Sequence, residues 1–192
     1  RFPKMEFGIY PGYGFLNVRL TSKDVHAIKI CREELERQFS NFLYEDEEGK
    51  IERAIYTLFT EKKLTLACAE SCTGGQIAAK LTTIPGASNY FLGSLVTYSN
   101  EMKQTFLDVR EQTLERYGAV NKETILEMVN GVMERTGADV ALAVSGIAGP
   151  DGGTKNKPIG TVWVAIATKT EAPQAICLHL RGSRETIMTA TA

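Results

Sequence analysis

Histidine is scarce in this sequence, which contains only His26 and His179. A Ser-His-Asp triad needs a histidine beside its nucleophile. His26 lies near the N-terminus, and His179 lies in a late, largely apolar run, where we interpret it as a strand residue whose ring nitrogen has a partner. A serine nucleophile in this chain therefore needs a different base.

The cysteines form no CxxC pair and have no histidine at ligand spacing. This pattern favours neither a zinc site nor a disulfide framework. We therefore expect free thiols and no metal bound by cysteine. We also expect no cofactor. The cysteines are Cys31, Cys68, Cys72 and Cys177.

Long apolar runs and an excess of one charge are also missing. No run approaches the roughly 20 residues needed to cross a bilayer, and no basic segment followed by an apolar one opens the chain. The 22 basic and 23 acidic residues give a formal net charge of -1, which does not favour binding to nucleic acid or to a membrane surface. We expect a cytoplasmic protein. Because the chain begins at Arg1 and stops at Ala192 inside a helical pattern, we interpret it as a piece of a longer protein.

The first part of the chain has the pattern of a small α+β unit. Residues 5–10 and 15–20 are short β-type runs separated by the turn-rich PGYG, and a helical pattern then continues to about Phe39. The acidic stretch YEDEEGK at residues 44–50 has no apolar periodicity and is typical of a linker. We therefore predict a domain boundary near residue 48. The predicted units are residues 1–48 and 49–192.

Strand-like and helical segments alternate after residue 50, which favours an α/β domain with a central sheet. The last two predicted strands are joined by about five residues, which indicates an antiparallel pair and hence a mixed sheet. Residues 139–144 are nearly all apolar, as expected of a strand covered on both faces. The predicted strands are 64–69, 91–98, 139–145, 159–168 and 174–181, and the predicted helices begin near Ile51, Gly74, Asn100 and Asn121 and at the C-terminus.

Polar segments follow three of the predicted strands. In an open α/β sheet, ligands bind at the carboxyl ends of strands, where backbone N–H groups can receive anions. Capping and turn chemistry can explain each segment taken alone, but three of them at one edge of a sheet favour a ligand site. They are AESCTGG at 69–75, TYSNEMK at 97–103 and SGIAGPDGG at 145–153.

Ser71 and Lys103 are the predicted catalytic pair. A lysine whose pKa is lowered by burial can act as a general base, and Ser-Lys pairs are an established variant of nucleophilic catalysis. Cys72 is the stronger nucleophile in principle, but without a histidine partner we interpret it as a packing residue. Glu70 has three open roles, since it can orient Lys103, bind a ligand hydroxyl or cap the helix that follows.

Two glycine-containing loops are candidates for binding negative charge. The backbone N–H groups of 73–75 or of 146–149 can form an oxyanion hole or a phosphate cradle, and the sequence does not assign which loop does which. Lys157, Arg181 and Arg184 are cations near these loops and are candidates for a substrate phosphate. The other predicted substrate-binding positions are Gly74, Gly75, Ser99, Asn100, Ser145, Gly146 and Gly149.

Several motifs together resemble a known family. AESCTGG, YSNEMK, the GAV at 118–120, SGIAGPDGG and KPIGTVW occur in the order and approximate spacing of the C-terminal domain of the competence/damage-inducible protein CinA, over about residues 50–190. The resemblance implies a metal-independent amidase that converts nicotinamide mononucleotide to nicotinate mononucleotide and ammonia in the pyridine nucleotide cycle. It implies a three-layer α/β/α sandwich, preceded here by a small, KH-like α+β connecting unit. We also expect a homo-oligomer, a dimer or higher.

The resemblance implies roles for individual residues as well. Ser71 corresponds to the nucleophile and Lys103 to its base, while Thr73 and Tyr98 correspond to polar members of the catalytic site. Arg184 corresponds to an arginine expected near the substrate phosphate. The chain departs from the family pattern at Ser183, Asn121 and Met188, where aspartate, serine and arginine are usual.

A rival interpretation is a non-catalytic nucleotide-binding or regulatory module, in which the same loops hold a phosphate and no bond is broken. An enzyme is favoured by Lys103, four residues beyond Ser99 on a predicted helix, together with Ser71. A phosphate cradle does not need that pair. A competence-linked role in DNA binding is not favoured by the near-neutral charge.

Overall fold

The computed structural model describes residues 5–12, 15–40, 42–44 and 50–192. The chain divides into two compact units, Arg1–Ala54 and Ile55–Ala192. The predicted linker lies mostly outside the described residues, and the predicted boundary near residue 48 stays a prediction. Within the described ranges, no helix is both long enough and apolar enough to span a bilayer.

The first unit contains the predicted hairpin and helix. Strands β1 (Glu6–Pro11) and β2 (Leu16–Thr21) pair antiparallel, and part of the predicted PGYG turn lies outside the described residues. Helix α1 spans Val25–Phe39, and the Asp24 carboxylate caps it by accepting the N–H groups of its first turn. Both predictions of secondary structure for this unit are therefore confirmed. Helix α2 (Ile51–Lys62) crosses the division between the two units.

A five-stranded mixed sheet forms the centre of the second unit. Its strand order is β4-β3-β5-β6-β7, with β3 parallel to both β4 and β5 and with β6 antiparallel to β5 and β7. The mixed sheet predicted from the short last connection is confirmed. The strands are β3 (Leu66–Glu70), β4 (Phe91–Val96), β5 (Val140–Gly146), β6 (Thr161–Thr168) and β7 (Gln174–His179).

Helices lie on both faces of this sheet, because the side chains of each strand alternate between two apolar cores. Ala67 and Ala69 of β3 pack with α4, α5 and α6, whereas Leu66 and Cys68 pack with α3. The three-layer α/β/α architecture is thus confirmed. The helices are α3 (Gln76–Leu81), α4 (Asn100–Leu107), α5 (Glu111–Tyr117), α6 (Lys122–Thr136) and α7 (Arg184–Thr191), with a short 3-10 turn at Ala87–Asn89.

The parallel direction of β3, β4 and β5 determines where the site lies. Since all three strands run the same way, the polar segments that follow them leave the sheet at one edge. The convergence predicted from the sequence is therefore confirmed. β4 ends at Val96, before the predicted end at Tyr98. Thr97 and Tyr98 therefore follow the strand, and they form part of the site.

Candidate active site

Ser71 lies at a sharp turn between β3 and α3. Its backbone N–H continues the sheet by donating to Val144 O at 3.1 Å, and its own carbonyl accepts the N–H of Gly74 at 3.1 Å. Gly74 and Gly75 follow with φ of +61° and +102°, a region that favours glycine. The two glycines of AESCTGG therefore let the chain turn directly behind the Ser71 side chain.

Lys103 reaches this turn from α4. Its Nζ donates to Ser71 Oγ at 3.1 Å and to the carbonyl oxygens of Thr97 and Tyr98 at 2.8 and 3.1 Å. Helix α4 begins beside the site because the Ser99 hydroxyl accepts the N–H of Met102, an N-cap at 3.1 Å. The predicted pair of Ser71 and Lys103 is thus brought into contact, although its members lie 32 residues apart in the chain.

The Lys103 ammonium is fully buried. Its side chain is 0% exposed and Ser71 is 7% exposed. Burial lowers the pKa of Lys103 from its ordinary 10.5 to about 8, and only the nearby Cys72 sulfur opposes this shift. Desolvation of the charged amine is therefore the cause of the lowered pKa.

Cys72 has the environment of a packing residue. Its side chain is buried, and burial raises the pKa of its thiol to about 11. The sulfur lies against Gly146, where an added Cβ would come within 3.2 Å of it. A thiol that stays protonated near neutral pH is a poor nucleophile, in agreement with the interpretation from the sequence. All four cysteines are free thiols, as predicted.

Glu70 caps helix α3, which follows the turn that contains Ser71. Its carboxylate is 0% exposed and accepts the N–H groups of Gly75, Ile77 and Ala78 at 2.9 to 3.1 Å. The hydroxyls of Thr73 and Ser94 also donate to it, at 2.7 and 2.9 Å. Capping is thus the one of the three open roles that the geometry supports. The predicted contact between Glu70 and a substrate stays a prediction without structural support.

Thr73 directs its hydroxyl to Glu70 and makes no hydrogen bond with Lys103. The Thr73 side chain is buried, and its one hydrogen bond is the one donated to that carboxylate. The structure therefore gives Thr73 a supporting position, and its role in catalysis stays a prediction.

Arg184, at the start of α7, links two of the predicted loops. It donates from Nη2 to the Tyr98 hydroxyl at 2.9 Å and from Nη1 to Gly149 O at 2.8 Å. Tyr98 is 58% exposed, so its ring lies at the mouth of the site. Among the described residues, no carboxylate pairs with Arg184. Its guanidinium is therefore available to an anionic ligand.

The C-terminal end of β5 contributes Ser145 and Gly146. Ser145 is buried and its hydroxyl donates to Ala119 O at 2.8 Å, which fixes the GAV segment before α6. A Cβ on Gly146 would lie 2.7 Å from a Val162 methyl group, so the end of this strand favours glycine. Lys157, from the loop that joins β5 to β6, donates to Tyr117 O at 2.6 Å and connects this loop to the end of α5.

The remaining predicted positions are Asn100, Gly149 and Arg181. Asn100 is the exposed first residue of α4, and Gly149 adopts φ of +77° beside Arg184. Arg181 is exposed. In the part of the chain that the structure describes, no group of three His, Cys, Asp or Glu side chains is placed to hold a metal ion.

Free backbone amides occur in both glycine-containing loops, but the prediction that the amides of Gly74 and Gly75 are free is wrong, because they donate to Ser71 O and to the Glu70 carboxylate. Within residues 50–192, the backbone N–H groups of Cys72 and Thr73 donate to no other residue, and neither do those of Ala148 and Gly149. Each pair can receive negative charge from a ligand.

Two supporting residues are absent from the sequence-based predictions. The Thr97 carbonyl holds Lys103, and because this is a backbone contact no side-chain pattern indicates it. Ser94 supports Glu70 and is a single hydroxyl in an otherwise apolar strand, which is the signal that indicates a buried polar partner.

Comparison with protein families adds an independent finding. The model of the family described as CinA C-terminal domain matches residues 48–192. The chain is 39% identical over 179 residues to a CinA-like protein of Thermotoga neapolitana, covering 92% of the chain and 43% of the relative. It is 40% identical over 196 residues to a putative competence-damage inducible protein of Acetivibrio thermocellus, covering 98% of the chain and 47% of the relative. The chain thus spans about half the length of the curated relatives it matches.

Solved structures of similar sequence have the same fold. The competence/damage inducible protein CihA of Agrobacterium tumefaciens superposes with a TM-score of 0.73 at 39% identity, covering 78% of this chain and 91% of that one. The competence damage-inducible protein A (ComA) of Klebsiella pneumoniae superposes with a TM-score of 0.67 at 36% identity, covering 70% of this chain and 83% of that one.

Proposed function

The chain belongs to the CinA C-terminal domain family, and on that basis and the geometry of its site we propose that it is an amidohydrolase with Ser71 as nucleophile and Lys103 as general base. One observation carries this function. A lysine with no exposed surface has its Nζ 3.1 Å from a serine hydroxyl, and burial lowers its pKa to about 8. Near neutral pH a useful fraction of Lys103 is then the neutral amine that a general base must be.

The partners of Nζ orient its lone pair. A neutral amine has two N–H groups and one lone pair, and the carbonyl oxygens of Thr97 and Tyr98 can only accept hydrogen bonds. When these two carbonyls take the two N–H groups, the remaining tetrahedral position of the nitrogen faces Ser71 Oγ. The lone pair is therefore directed at the proton it has to remove.

The chemical steps follow from this pair. Lys103 takes the Ser71 proton as Ser71 Oγ attacks the carboxamide carbon, and free backbone N–H groups stabilise the tetrahedral oxyanion. The C–N bond then breaks, and Lys103 returns the proton to the departing ammonia. Water attacks the ester that remains, giving one proton to Lys103 as it adds. Lys103 passes that proton to Ser71 Oγ as the carboxylic acid is released.

Nicotinamide mononucleotide is the proposed substrate. It is the substrate that the family resemblance implies, and it combines a carboxamide with a phosphate. The Arg184 guanidinium at the mouth of the site has no carboxylate partner among the described residues, which fits recognition of a phosphate. The proposed role is recycling of the pyridine nucleotide to nicotinate mononucleotide.

Ammonia release tests this function. The purified protein should release ammonia from nicotinamide mononucleotide, less efficiently from nicotinamide riboside, and least from nicotinamide. Ser71→Ala should abolish release while its circular dichroism spectrum and thermal midpoint stay close to those of the wild type. Tight binding of nicotinamide mononucleotide with no ammonia from any of the three compounds would instead support the non-catalytic binding module.

A further inference from the structure

Glu70 is a buried carboxylate that the proposed chemistry leaves without a role. It lies one residue before the nucleophile, yet Lys103 makes its hydrogen bonds to Ser71, Thr97 and Tyr98 and none to Glu70. We propose that Glu70 is a positioning residue, which holds the turn after Ser71 so that the N–H groups of Cys72 and Thr73 form the oxyanion hole. This inference rests on the proposed role of Ser71 as a nucleophile.

The hydrogen bonds of Glu70 span the whole turn. One carboxylate oxygen accepts from Thr73 Oγ1 at 2.7 Å and from the N–H groups of Gly75 and Ile77 at 2.9 and 3.1 Å. The other accepts from Ala78 N and Ser94 Oγ at 3.0 and 2.9 Å. The carboxylate thereby joins the turn, the first helical residues of α3 and strand β4.

These contacts also explain which amides remain free. The N–H groups of Gly75, Ile77 and Ala78 are directed at Glu70, and Gly74 N donates to Ser71 O. In this described stretch, the N–H groups of Cys72 and Thr73 are the ones between Ser71 and α3 that donate to no other residue. They are the amides that directly follow the nucleophile.

The position of these amides fits an oxyanion hole better than a phosphate cradle. In a strand-turn-helix arrangement, the N–H after a nucleophilic serine lies beside the carbonyl oxygen that the serine attacks. Ser71 sits at such a turn, with β3 before it and α3 after it. The free amides of Ala148 and Gly149 lie in the loop that Arg184 contacts, so that loop is the better placed for the phosphate.

Glu70 and Lys103 act on opposite faces of the sheet. Residues 66 and 68 of β3 pack against α3, and Glu70 continues that alternation, whereas Ser71 meets Lys103 of α4. A change at Glu70 should therefore disturb the oxyanion amides and leave the titration of Lys103 in place. This separation gives the inference its test.

Glu70→Gln is the decisive variant, since it keeps the shape of the side chain. Its NH2 group must face at least one backbone N–H donor, so the cap is broken on one side. A shift of the turn by about 1 Å, or loss of one oxyanion donor, lowers turnover by on the order of 10²-fold. We expect kcat for nicotinamide mononucleotide to fall by that factor, with the pH midpoint of kcat/KM kept near that of the wild type.

Binding is measured separately from turnover. The Kd for nicotinamide mononucleotide should be the same in Ser71→Ala and in Glu70→Gln/Ser71→Ala, because a positioning residue does not contact the ground state of the substrate. A Kd that rises by the same factor by which kcat/KM falls would make Glu70 a substrate-binding residue and overturn the inference.

Two further variants keep the inference testable if Glu70→Gln does not fold. Thr73→Val removes one donor to Glu70 and should lower kcat, while Thr73→Ser retains the hydroxyl and should restore it. Asp139→Asn is the matched control, because the Asp139 carboxylate also accepts several hydrogen bonds, from Thr65 and Lys169. It lies at the N-terminal ends of β3 and β5, whereas the site lies at their C-terminal ends. Asp139→Asn should lower stability and leave kcat per folded molecule unchanged.

A phosphorylating reagent separates failure of the inference from failure of the proposed substrate. Diisopropyl fluorophosphate bonds to Ser71 Oγ with loss of fluoride, Lys103 takes the proton, and the phosphoryl oxygen needs the same amides. Labelling that is slowed in Glu70→Gln supports the inference even if wild type releases no ammonia. Labelling and turnover at wild-type rates in folded Glu70→Gln overturn it, and a wild type that is neither labelled nor active overturns both the proposed function and the inference.

Discussion

Replacing Lys103 should remove a contribution to the free energy of unfolding that rises with pH. The folded protein holds Lys103 with a pKa of about 8, whereas the unfolded chain has the ordinary 10.5. Between these values the unfolded state binds more protons, so the free energy of unfolding contributed by Lys103 rises with pH. Below pH 8 both states are protonated and the buried ammonium destabilises the fold by a constant amount.

The expected magnitude follows from the two pKa values. Integrating the difference in protonation from pH 7 to pH 10 gives a gain for wild type over Lys103→Met of about 2.5 kcal/mol. The absolute offset between the two proteins also includes the lost hydrogen bonds to Thr97 and Tyr98. That offset does not change with pH, so the slope alone tests the burial of the ammonium.

Urea unfolding at pH 7, 8, 9 and 10 measures this slope. The free energy of unfolding of wild type minus that of Lys103→Met should increase over the series, and the other titrating groups cancel in the difference. Lys122→Met is the matched control, because Lys122 is exposed at the first position of α6. Its difference from wild type should stay flat. Equal slopes for Lys103→Met and Lys122→Met would mean that Lys103 is not a desolvated ammonium, and the proposed base would lose its support.

Four further outcomes are expected, each with its own measurement. The kcat/KM for ammonia release should rise with pH through a midpoint near 8, because neutral Lys103 is the active form; a flat profile would contradict this. Cys72→Ala should keep nearly full turnover, since burial raises the pKa of that thiol to about 11. Gly131→Ala should lower the free energy of unfolding by roughly 1–3 kcal/mol and reduce kcat. The added Cβ would overlap Leu107 O, at the end of the helix that carries Lys103. An unchanged urea midpoint would refute this close packing. Arg184→Ala should raise KM for nicotinamide mononucleotide but not for nicotinamide riboside, and an equal rise for both would exclude a phosphate contact.

The layered fold was predictable because its signals are local. Apolar runs such as residues 139–144 and the short connection before β7 indicate a buried strand and an antiparallel pair without knowledge of the contacts. Helix α5 (Glu111–Tyr117) was not predicted. It is short and has no side-chain hydrogen bond at its N-cap, so its sequence has no clear start signal.

The residues that form the site were predictable from the sequence, but the contacts between their side chains were not. Polar residues after strands indicate Ser71 and Lys103, yet their contact depends on the parallel register of β3 with β4, which the sequence does not state. The role of Glu70 depends on which face of β3 it occupies, and so the sequence leaves three roles open. Tyr98 was expected within β4, but its carbonyl accepts a hydrogen bond from Lys103 after the strand has ended.

An ester between Ser71 and the substrate is the intermediate that this mechanism requires, and intact-protein mass spectrometry after an acid quench detects it. Wild type mixed with nicotinamide mononucleotide should gain the mass of the substrate less ammonia, and Cys72→Ala should gain it too. Ser71→Ala should show neither the added mass nor ammonia release. An adduct that persists in Ser71→Ala and disappears in Cys72→Ala, or ammonia release that survives the loss of Ser71, would exclude Ser71 as the nucleophile.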